Sequence, residues 1–301
     1  MKFVTFFHKD QLKTGVVVND HFIVEVQQAE RQKMGDVTIR GGLQDWVENG
    51  EHYLNRISEV VQWAQEQKQG QFLHELKDVQ LAAPLPRPRK NIFCIGKNYA
   101  DHAKELGSEA DIPEYPMVFS KPPTTVTGPE MPVFLHKEVT DALDYEGELA
   151  VVIGKRGKGI SKDQAYDYVF GYTLINDVTA RDLQQRHKQF LLGKSLDSAC
   201  PMGPYLVHKN EVADPHSLNI ETKVNGEVRQ SANTEQMIFD IPTLISTISA
   251  GTTIEPGDII ATGTPAGVGK GMKPPQYLRA GDVMEVTVEG LGTLKNTISG
   301  E

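Results

Sequence analysis

Cysteines are scarce in this chain, basic residues are outnumbered by acidic ones, and long hydrophobic runs are missing. Cys94 and Cys200 lie far apart without a Cys-x-x-Cys pair, so the sequence predicts neither a disulfide framework nor a thiolate zinc site. The formal net charge of −9 argues against general nucleic-acid binding, which requires a concentrated basic surface. The apolar runs are too short to span a bilayer, which argues against a membrane protein.

The composition that is present is typical of a soluble globular protein. The 301 residues are 39% hydrophobic and 24% charged, which is enough chain for one large domain or for a large and a small one. Charged residues interrupt the N-terminal segment too early for a secretory signal, and we therefore expect a cytoplasmic protein with reduced thiols.

Proline and turn signals divide the chain into two predicted units. Residues 1–83 predict a small α/β unit, with a hairpin around Asn19-Asp20 and a helix from about Leu43 to Lys68. Residues 84–90 are rich in proline and predict a stiff linker. Residues 91–301 predict a β-rich α+β domain, because strand patterns dominate and crossover helices are few. The expected strands are 91–95, 117–120, 149–153, 169–175, 222–224, 227–229, 258–262 and 283–288, and the expected helices are 100–106, 162–168, 180–189 and 242–249.

Two glutamates at the head of an apolar strand are the first candidate for chemistry. Side chains alternate along a strand, so Glu146 and Glu148 share one face, while 149–153 is apolar on both faces. Like charges at the end of a buried strand are costly unless a cation or strong hydrogen bonds offset them, and a divalent ion with oxygen ligands would do so. The alternative is a strand end whose glutamates face water.

A third carboxylate stands where another predicted strand runs into a helix. Asp177, Arg181 and Gln184 are spaced i, i+4 and i+7, and we expect them on one helical face. Strand ends of this kind often present functional side chains. The alternative interpretation makes Asp177 a helix cap with Arg181 as its exposed partner.

A second helical face carries Asn98, His102 and Glu105 at the same spacing. A carboxylate that hydrogen-bonds an imidazole fixes its tautomer and raises its basicity, which suits a general base acting on water. Gly107-Ser108 and Pro113 follow this helix and would suit a mobile lid. An exposed helix with an ordinary i,i+3 pair is the alternative.

Lys194 and a glycine-rich loop complete the set of candidates. Lys194 lies between a predicted helix and a turn, where a surface position is the alternative. The loop 262–271 fails as a phosphate-binding loop, because Thr264 replaces the first glycine of that motif and Gly271 follows Lys270 in place of Ser or Thr. The loop's backbone N–H groups and the Thr264 hydroxyl could still hold a carboxylate.

These motifs together resemble the fumarylacetoacetate hydrolase family, in the branch of acylpyruvate hydrolases and oxaloacetate decarboxylases. The resemblance covers about residues 91–298, and the first unit resembles a small N-terminal extension carried by many members. The segments that carry it are Gly96-Lys97-Asn98-Tyr99-Ala100-Asp101-His102, Asp144-Tyr145-Glu146-Gly147-Glu148-Leu149, Asn176-Asp177-Val178-Thr179-Ala180-Arg181-Asp182, Gly193-Lys194-Ser195, Val224-Asn225-Gly226-Glu227 and Thr262-Gly263-Thr264-Pro265.

The resemblance implies a fold, a cofactor and a set of site residues. The fold would be a mixed β-sandwich roll, the cofactor Mg²⁺ or Mn²⁺, and the assembly a homodimer. Larger members add an upstream aspartate ligand where this chain has Asn98, so we expect three carboxylate ligands completed by water and substrate. The implied roles are Glu146, Glu148 and Asp177 as metal ligands, His102 and Glu105 as a water-activating dyad, Lys194 as a catalytic cation, and Arg181, Gln184 and Thr264 as substrate-binding residues.

The activity implied by the resemblance is metal-dependent cleavage of a C–C bond next to a 2-oxo acid. The substrate would be an acylpyruvate, which is hydrolysed, or oxaloacetate, which is decarboxylated, and pyruvate would leave as an enolate stabilised by Lys194 and Gln184. A hydratase or isomerase of a related oxo-acid, similar to a 5-carboxymethyl-2-hydroxymuconate isomerase, is an alternative. A non-catalytic oxo-acid sensor or partner-binding protein is another.

Overall fold

Strands make up most of the regular structure in residues 1–67 and 70–300, which the computed structural model describes. The strands of the first half are β1 Lys2–His8, β2 Gln11–Val18, β3 Phe22–Glu25, β4 Leu73–Glu75, β5 Gln80–Ala82, β6 Ile92–Gly96, β7 Met117–Lys121, β8 Val126–Thr127, β9 Val133–Phe134 and β10 Leu143–Asp144. Those of the second half are β11 Gly147–Ile153, β12 Val169–Asn176, β13 Thr179–Ala180, β14 Cys200–His208, β15 Asn219–Val224, β16 Glu227–Asn233, β17 Ile259–Ala261, β18 Val283–Val288 and β19 Gly292–Ser299. The β-rich α+β class expected from the sequence is confirmed.

The α-helices are few and mostly short. They are α1 Val26–Met34, α2 Leu43–Gln67, α3 Ala100–Leu106, α4 Arg181–Arg186, α5 Leu191–Lys194 and α6 Ile241–Ser249. None of the described helices is both long enough and apolar enough to cross a bilayer. The predicted end of α2 at Lys68 lies outside the described residues. α2 contains a kink at Gly50, whose backbone has a φ of 49° and a ψ of −132°.

The helix predictions were wrong in three places. The helix expected over 180–189 ends at Arg186, and the following α5 was not predicted. The segment Lys162–Tyr168 forms a 3₁₀ helix, not an α-helix. α1 was not predicted, because its nine residues bury little apolar surface: only Val26, Ala29 and Glu30 are buried. A short polar helix of this kind has too weak an apolar stripe to be recognised by periodicity.

One large sheet joins the N-terminal unit to the rest of the chain. Its main path runs β4-β3-β2-β1-β14-β12-β11-β17-β6-β7, and a second sheet has the order β16-β15-β18-β19-β9. The expected hairpins around Asn19-Asp20 and Asn225-Gly226 are confirmed by the β2–β3 and β15–β16 pairs. Because β1 pairs with β14, residues on both sides of the 84–90 segment belong to one sheet. The division into two domains at that segment stays a prediction.

β11 is buried on both faces, as its sequence predicts. Ala150 and Val152 pack into a cluster that includes N-terminal residues and both cysteines, which are free and buried. Leu149, Val151 and Ile153 pack on the other face against α6 and the five-stranded sheet. A strand covered on both sides must be apolar throughout, so a polar side chain on it needs a specific partner.

A cavity of about 1010 Å³ lies where α2 meets the ends of β11, β12 and β14. His208 lines it, and burial is the main cause that lowers the pKa of this imidazole to about 4. The Asn210 N–H donates to Nδ1 of His208 at 3.3 Å, which requires that nitrogen to be unprotonated. The folded protein therefore holds His208 neutral at pH values where an unfolded chain would protonate it.

Replacing His208 by glutamine should flatten the pH dependence of stability on the acid side. The pKa of His208 is about 4 in the folded protein against an ordinary value of 6.5, so stability is complete above pH 6.5 and is lost as the pH falls towards 4. From pH 7 to pH 5 the wild type should lose about 1 kcal/mol more than the variant, after allowance for partial exposure. Urea denaturation in EDTA measures this difference. Exposed His52→Gln is the control, and equal losses in wild type and His208→Gln would contradict the prediction.

Candidate metal centre and adjoining cavity

The antiparallel β11–β12 pair brings the three predicted carboxylates together. The register places Gly147 opposite Asn176, so Glu146 and Asp177 lie side by side just beyond the pair. Two hydrogen bonds hold this junction: the Glu146 N–H donates to Asn176 Oδ1 at 2.9 Å, and the Asp177 N–H donates to the Glu146 carbonyl at 2.8 Å. The backbone therefore fixes the spacing of the acidic residues.

Glu146, Glu148 and Asp177 form a buried triad whose ligand oxygens lie within 4.8 Å of one another. All three side chains are at most 7% exposed. Burial, followed by the charges of Asp177 and Glu146, raises the pKa of Glu148 well above its ordinary value. Its one hydrogen bond in the described structure comes from the Gly263 N–H at 2.8 Å. No basic side chain among the described residues therefore forms an ion pair with Glu148.

Two buried lysines neutralise the other two carboxylates. Lys194 Nζ lies 2.7 Å from Glu146 Oε2 and 2.7 Å from Asp177 Oδ2, and it stands over the ring of Phe119. Burial would lower the pKa of Lys194, but Asp177 and Glu146 outweigh it and raise the pKa. Lys121, at the end of β7, is fully buried; its Nζ lies 2.8 Å from Asp177 Oδ1 and donates to the Val178 carbonyl at 3.0 Å.

Sequence reasoning missed Lys121. The predicted strand ended one residue earlier, and a single lysine at a strand end carries no local sign of burial. The surface alternative for Lys194 is wrong, because that side chain is 1% exposed.

Arg181 is the third buried cation of the site. Its Nε donates to Asp144 Oδ2 at 2.8 Å and its Nη1 lies 2.7 Å from Glu146 Oε1, whereas Nη2 is buried without a hydrogen-bond partner among the described residues. Burial would raise the pKa of Glu146, but Lys194 and Arg181 outweigh it and hold that pKa below the ordinary range. Asp144 was not recognised as a site residue from the sequence, although it lies in a quoted motif.

The chemistry of this donor set fits a hard divalent cation. Four buried carboxylates, which are Asp144, Glu146, Glu148 and Asp177, face three buried cations, which are Lys121, Arg181 and Lys194. Counted as acidic and basic groups, the carboxyls therefore exceed the cations by one, and Glu148 is the carboxyl that forms no ion pair among the described residues. Carboxylate oxygens are the ligands that Mg²⁺ and Mn²⁺ prefer. The triad could hold such an ion.

Neither predicted helical face is correct, because the first residue of each set precedes its helix. α4 begins only at Arg181, so Asp177 precedes the helix, and the cap residue is Ala180. The capping alternative for Asp177 is wrong as well, because Arg181 is buried. Gln184 reaches the site through its Oε1, which lies 3.4 Å from Arg181 Nη1. Asn98 precedes α3, and its side chain bonds the backbone of Phe239 and Thr262.

His102 and Glu105 lie together on α3 without the hydrogen bond expected from the sequence. His102 Nδ1 is 3.4 Å from Glu105 Oε2, and neither atom has a hydrogen-bond partner among the described residues. The other oxygen of Glu105 accepts from the Gly267 N–H at 2.9 Å. Glu105 therefore anchors α3 to the glycine-rich loop while it stands beside the imidazole.

The glycine-rich loop does bind carboxylates, and they belong to the protein itself. Backbone N–H groups of this loop donate to Glu148 from Gly263, to Glu105 from Gly267, and to Asp144 from Gly269 and Lys270. Two of these glycines have a positive φ, which other residues rarely adopt. Gly263 has a φ of 103° and Gly267 a φ of 106°, and a Cβ on Gly267 would lie 1.9 Å from the Arg229 carbonyl oxygen.

A cavity of about 280 Å³ opens beside the triad. His102, Glu146, Gln184 and Thr264 line it, and the Thr264 hydroxyl donates to the Gly147 carbonyl at 2.9 Å. Five basic side chains also line it: Lys97, Arg181, Lys188, Lys194 and Lys270. Burial, followed by the charge of Arg181, lowers the pKa of Lys270. The cavity therefore suits a small anion.

Comparison with known proteins identifies the family. The model of the fumarylacetoacetate hydrolase C-terminal region matches residues 91–299, which is more than half of the chain. The chain belongs to the fumarylacetoacetate hydrolase family. The predicted resemblance is thus confirmed, and the matched range contains all the site residues described above. The start of the match coincides with the residue at which the second unit was predicted to begin.

Named relatives in this family cover the chain from end to end. The oxaloacetate tautomerase YisK of Bacillus subtilis is 54% identical over 300 residues, which cover 99% of this chain and 100% of that protein. A fumarylacetoacetate hydrolase from Exiguobacterium antarcticum has a solved structure with a TM-score of 0.82 and 39% identity, with 100% of each chain covered. A 5-carboxymethyl-2-hydroxymuconate delta-isomerase from Mycobacterium smegmatis has a TM-score of 0.75 and 30% identity at the same coverage. The family fold expected from the sequence is confirmed over the whole chain.

Proposed function

We propose that this chain is a divalent-metal-dependent enzyme that forms an enolate from a small 2-oxo acid, and that oxaloacetate is its substrate. The proposal is based on the buried triad, in which Glu148 forms no ion pair among the described residues. This triad lies beside a small cavity lined by five basic side chains. The similarity to an oxaloacetate tautomerase supports the choice of substrate. Processing of oxo-acids by the family supports the reaction class.

Glu146, Glu148 and Asp177 would hold Mg²⁺ or Mn²⁺. The bound ion would act as a Lewis acid that withdraws electrons from the 2-oxo group. Lys194 bridges Glu146 and Asp177 and lines the cavity, so its ammonium can also donate to a substrate oxygen on which negative charge develops. The ion pairs to Lys121 and Arg181 keep the carboxylates in place.

Arg181 offers the free donor that a substrate carboxylate needs. Its Nη2 is buried and unpartnered within the described structure, while its other nitrogens are held by Asp144 and Glu146. A guanidinium fixed in this way presents a donor in a set direction at little entropic cost. Gln184 adjoins it at the cavity wall and can supply an amide N–H.

His102 is the proposed base. It lines the cavity at 4% exposure, and Glu105 stands 3.4 Å from its Nδ1. An imidazole beside a carboxylate can take a proton from the carbon next to the 2-oxo group, and it can return that proton to carbon or to oxygen. Enol–keto interconversion needs no other proton carrier. Loss of CO₂ from oxaloacetate leads to the same type of enolate without a base.

Acylpyruvate hydrolysis is the second candidate. The observation that favours it is the pairing of His102 and Glu105 at the cavity, since the same pair could deprotonate a water molecule. An isomerase of a related oxo-acid needs the base alone, and a non-catalytic sensor needs neither base nor metal chemistry. Assays of substrate and product therefore separate these possibilities.

A test compares oxaloacetate and acetylpyruvate with the protein stripped by EDTA and then reloaded with Mg²⁺ or Mn²⁺. Ultraviolet absorbance follows enol and keto forms, and a coupled dehydrogenase assay follows pyruvate release. Because free Mg²⁺ itself promotes these reactions, each rate is corrected for a protein-free control. We expect metal-dependent turnover of oxaloacetate. No turnover of either compound, despite metal binding in calorimetry, would favour the sensor.

Replacing His102 by alanine should lower enol–keto interconversion and acylpyruvate hydrolysis by about 10²- to 10⁴-fold, because a positioned proton carrier is lost. Decarboxylation of oxaloacetate should fall less, since that step needs no base. Initial rates at saturating Mg²⁺ measure both effects. The exposed His187→Ala serves as the control. Wild-type rates in His102→Ala would remove this residue from the mechanism.

The homodimer expected from the resemblance stays a proposal. Sedimentation velocity on the full chain, with and without Mg²⁺, measures the mass directly. A monomer in both conditions would contradict it.

A further inference from the structure

Lys270 is the basic side chain of the cavity that the mechanism leaves unused. Lys97 pairs with Asp111, while Arg181 and Lys194 pair with the carboxylates of the site. Lys188 is exposed to solvent. Lys270 is half-buried, lines the cavity and has no ion-pair partner within residues 1–67 and 70–300. A partly desolvated ammonium without an ion-pair partner is costly, and an anionic ligand in the cavity would offset that cost.

Asp144 couples the position of Lys270 to that of Arg181. Its Oδ2 accepts from Arg181 Nε at 2.8 Å and from the Lys270 N–H at 3.0 Å. Its Oδ1 accepts from the Gly269 N–H at 2.7 Å. One fully buried carboxylate therefore fixes both the guanidinium and the backbone that carries the ammonium. Two anion-binding groups held to a common anchor are suited to a ligand with two carboxylates.

We infer that Lys270 binds the carboxylate remote from the 2-oxo group, so that the site selects 2-oxo dicarboxylates over 2-oxo monocarboxylates. The inference rests on the proposed function, which places a substrate carboxylate at Arg181, and it takes that carboxylate to be the one next to the 2-oxo group. Asp144 holds the Arg181 guanidinium and the Lys270 backbone, so both cationic side chains reach the cavity from one anchor. Lys270 is thereby a specificity-determining residue, and Asp144 is a positioning residue.

The same contact affects the fate of the substrate. In decarboxylation the bond between the remote carboxylate and its neighbouring carbon breaks, its electron pair stays on that carbon as the enolate forms, and CO₂ leaves uncharged. An ammonium beside the remote carboxylate stabilises the negative charge of the bound substrate. That charge leaves the carboxylate in the transition state, so the contact raises the barrier to loss of CO₂. Proton transfer between enol and keto forms leaves the carboxylate charge in place. Lys270 should therefore favour interconversion over decarboxylation.

The first test is binding, which does not depend on turnover. L-malate and 2-hydroxybutyrate are unreactive and differ mainly in the remote carboxylate, and calorimetry on the Mg²⁺-loaded full chain measures both. We expect Lys270→Met to weaken malate binding on the order of 10- to 100-fold and to leave 2-hydroxybutyrate unchanged. Lys270→Arg should retain much of the malate affinity. Lys273→Met, an exposed lysine of the same segment, controls for net charge.

The second test is the partition of oxaloacetate. Lys270→Met should raise KM for oxaloacetate at least tenfold and increase the ratio of pyruvate released to enol–keto interconversion, whereas KM for acetylpyruvate stays the same. Equal weakening of malate and 2-hydroxybutyrate, or no weakening of either, would overturn the inference, as would a wild type that does not bind malate. Absence of turnover with selective malate binding would instead contradict the proposed function and leave the subsite standing.

Discussion

Glu148→Gln should abolish metal-dependent turnover, with a loss of about 10³-fold or more, while the protein stays folded. The amide has nearly the same volume and can still accept the hydrogen bond from the Gly263 N–H, which is 2.8 Å from Glu148 Oε2. It removes one of three like charges whose ligand atoms lie within 4.8 Å. The metal-free variant should therefore melt no lower than the metal-free wild type, but it should lose the affinity for Mg²⁺.

Two measurements together check this result. Calorimetric titration with Mg²⁺ reports binding, and thermal unfolding with and without Mg²⁺ reports the stabilisation that binding produces. Glu235→Gln, an exposed glutamate outside the site, should behave as wild type in both. If Glu148→Gln keeps Mg²⁺-dependent activity within tenfold of the wild type, the triad is not the metal site.

Lys121→Met should destabilise the metal-free protein by about 3 kcal/mol. Lys121 is fully buried and its ammonium lies 2.8 Å from Asp177 Oδ1, so the variant leaves one carboxylate oxygen without a counter-charge in a low-dielectric site. The Val178 carbonyl loses its donor at the same time. Added Mg²⁺ should recover part of the loss, because a bound cation would compensate Asp177 in place of the lysine.

Urea denaturation in EDTA, and again in excess Mg²⁺, measures both parts of this prediction. Lys77→Met is the matched control, because Lys77 pairs with Glu75 at the surface, where an ion pair contributes at most about 1 kcal/mol. A loss in Lys121→Met no larger than in this control would show that the buried pair does not stabilise the site.

Local patterns predicted much of the fold. The hairpins at Asn19-Asp20 and Asn225-Gly226, the two-sided burial of β11 and helix α6 follow from turn chemistry and apolar periodicity, which act over a few residues. Asn98 and Asp177 were wrongly expected on helical faces, because they continue the helical spacing although they precede α3 and α4. The pairing of β1 with β14 joins distant segments, and no local pattern encodes it.

By itself, the sequence determined which carboxylates are the candidates for the metal site. Glu146 and Glu148 lie at the start of a strand that must be buried, and Asp177 follows the end of another predicted strand. The resemblance implied that these three side chains meet, and the antiparallel pairing of the two strands brings them together. The family resemblance rested on these same residues.

Only the tertiary structure decided how the charge of those carboxylates is balanced. Lys121, Lys194 and Arg181 come from three different segments, and the glycine-rich loop directs its N–H groups to the protein's own carboxylates. Each of these residues has an ordinary sequence context. Its role depends on which opposite charge is buried beside it. A buried charge must be paired because desolvation is costly, and in this fold the partner comes from a distant part of the sequence.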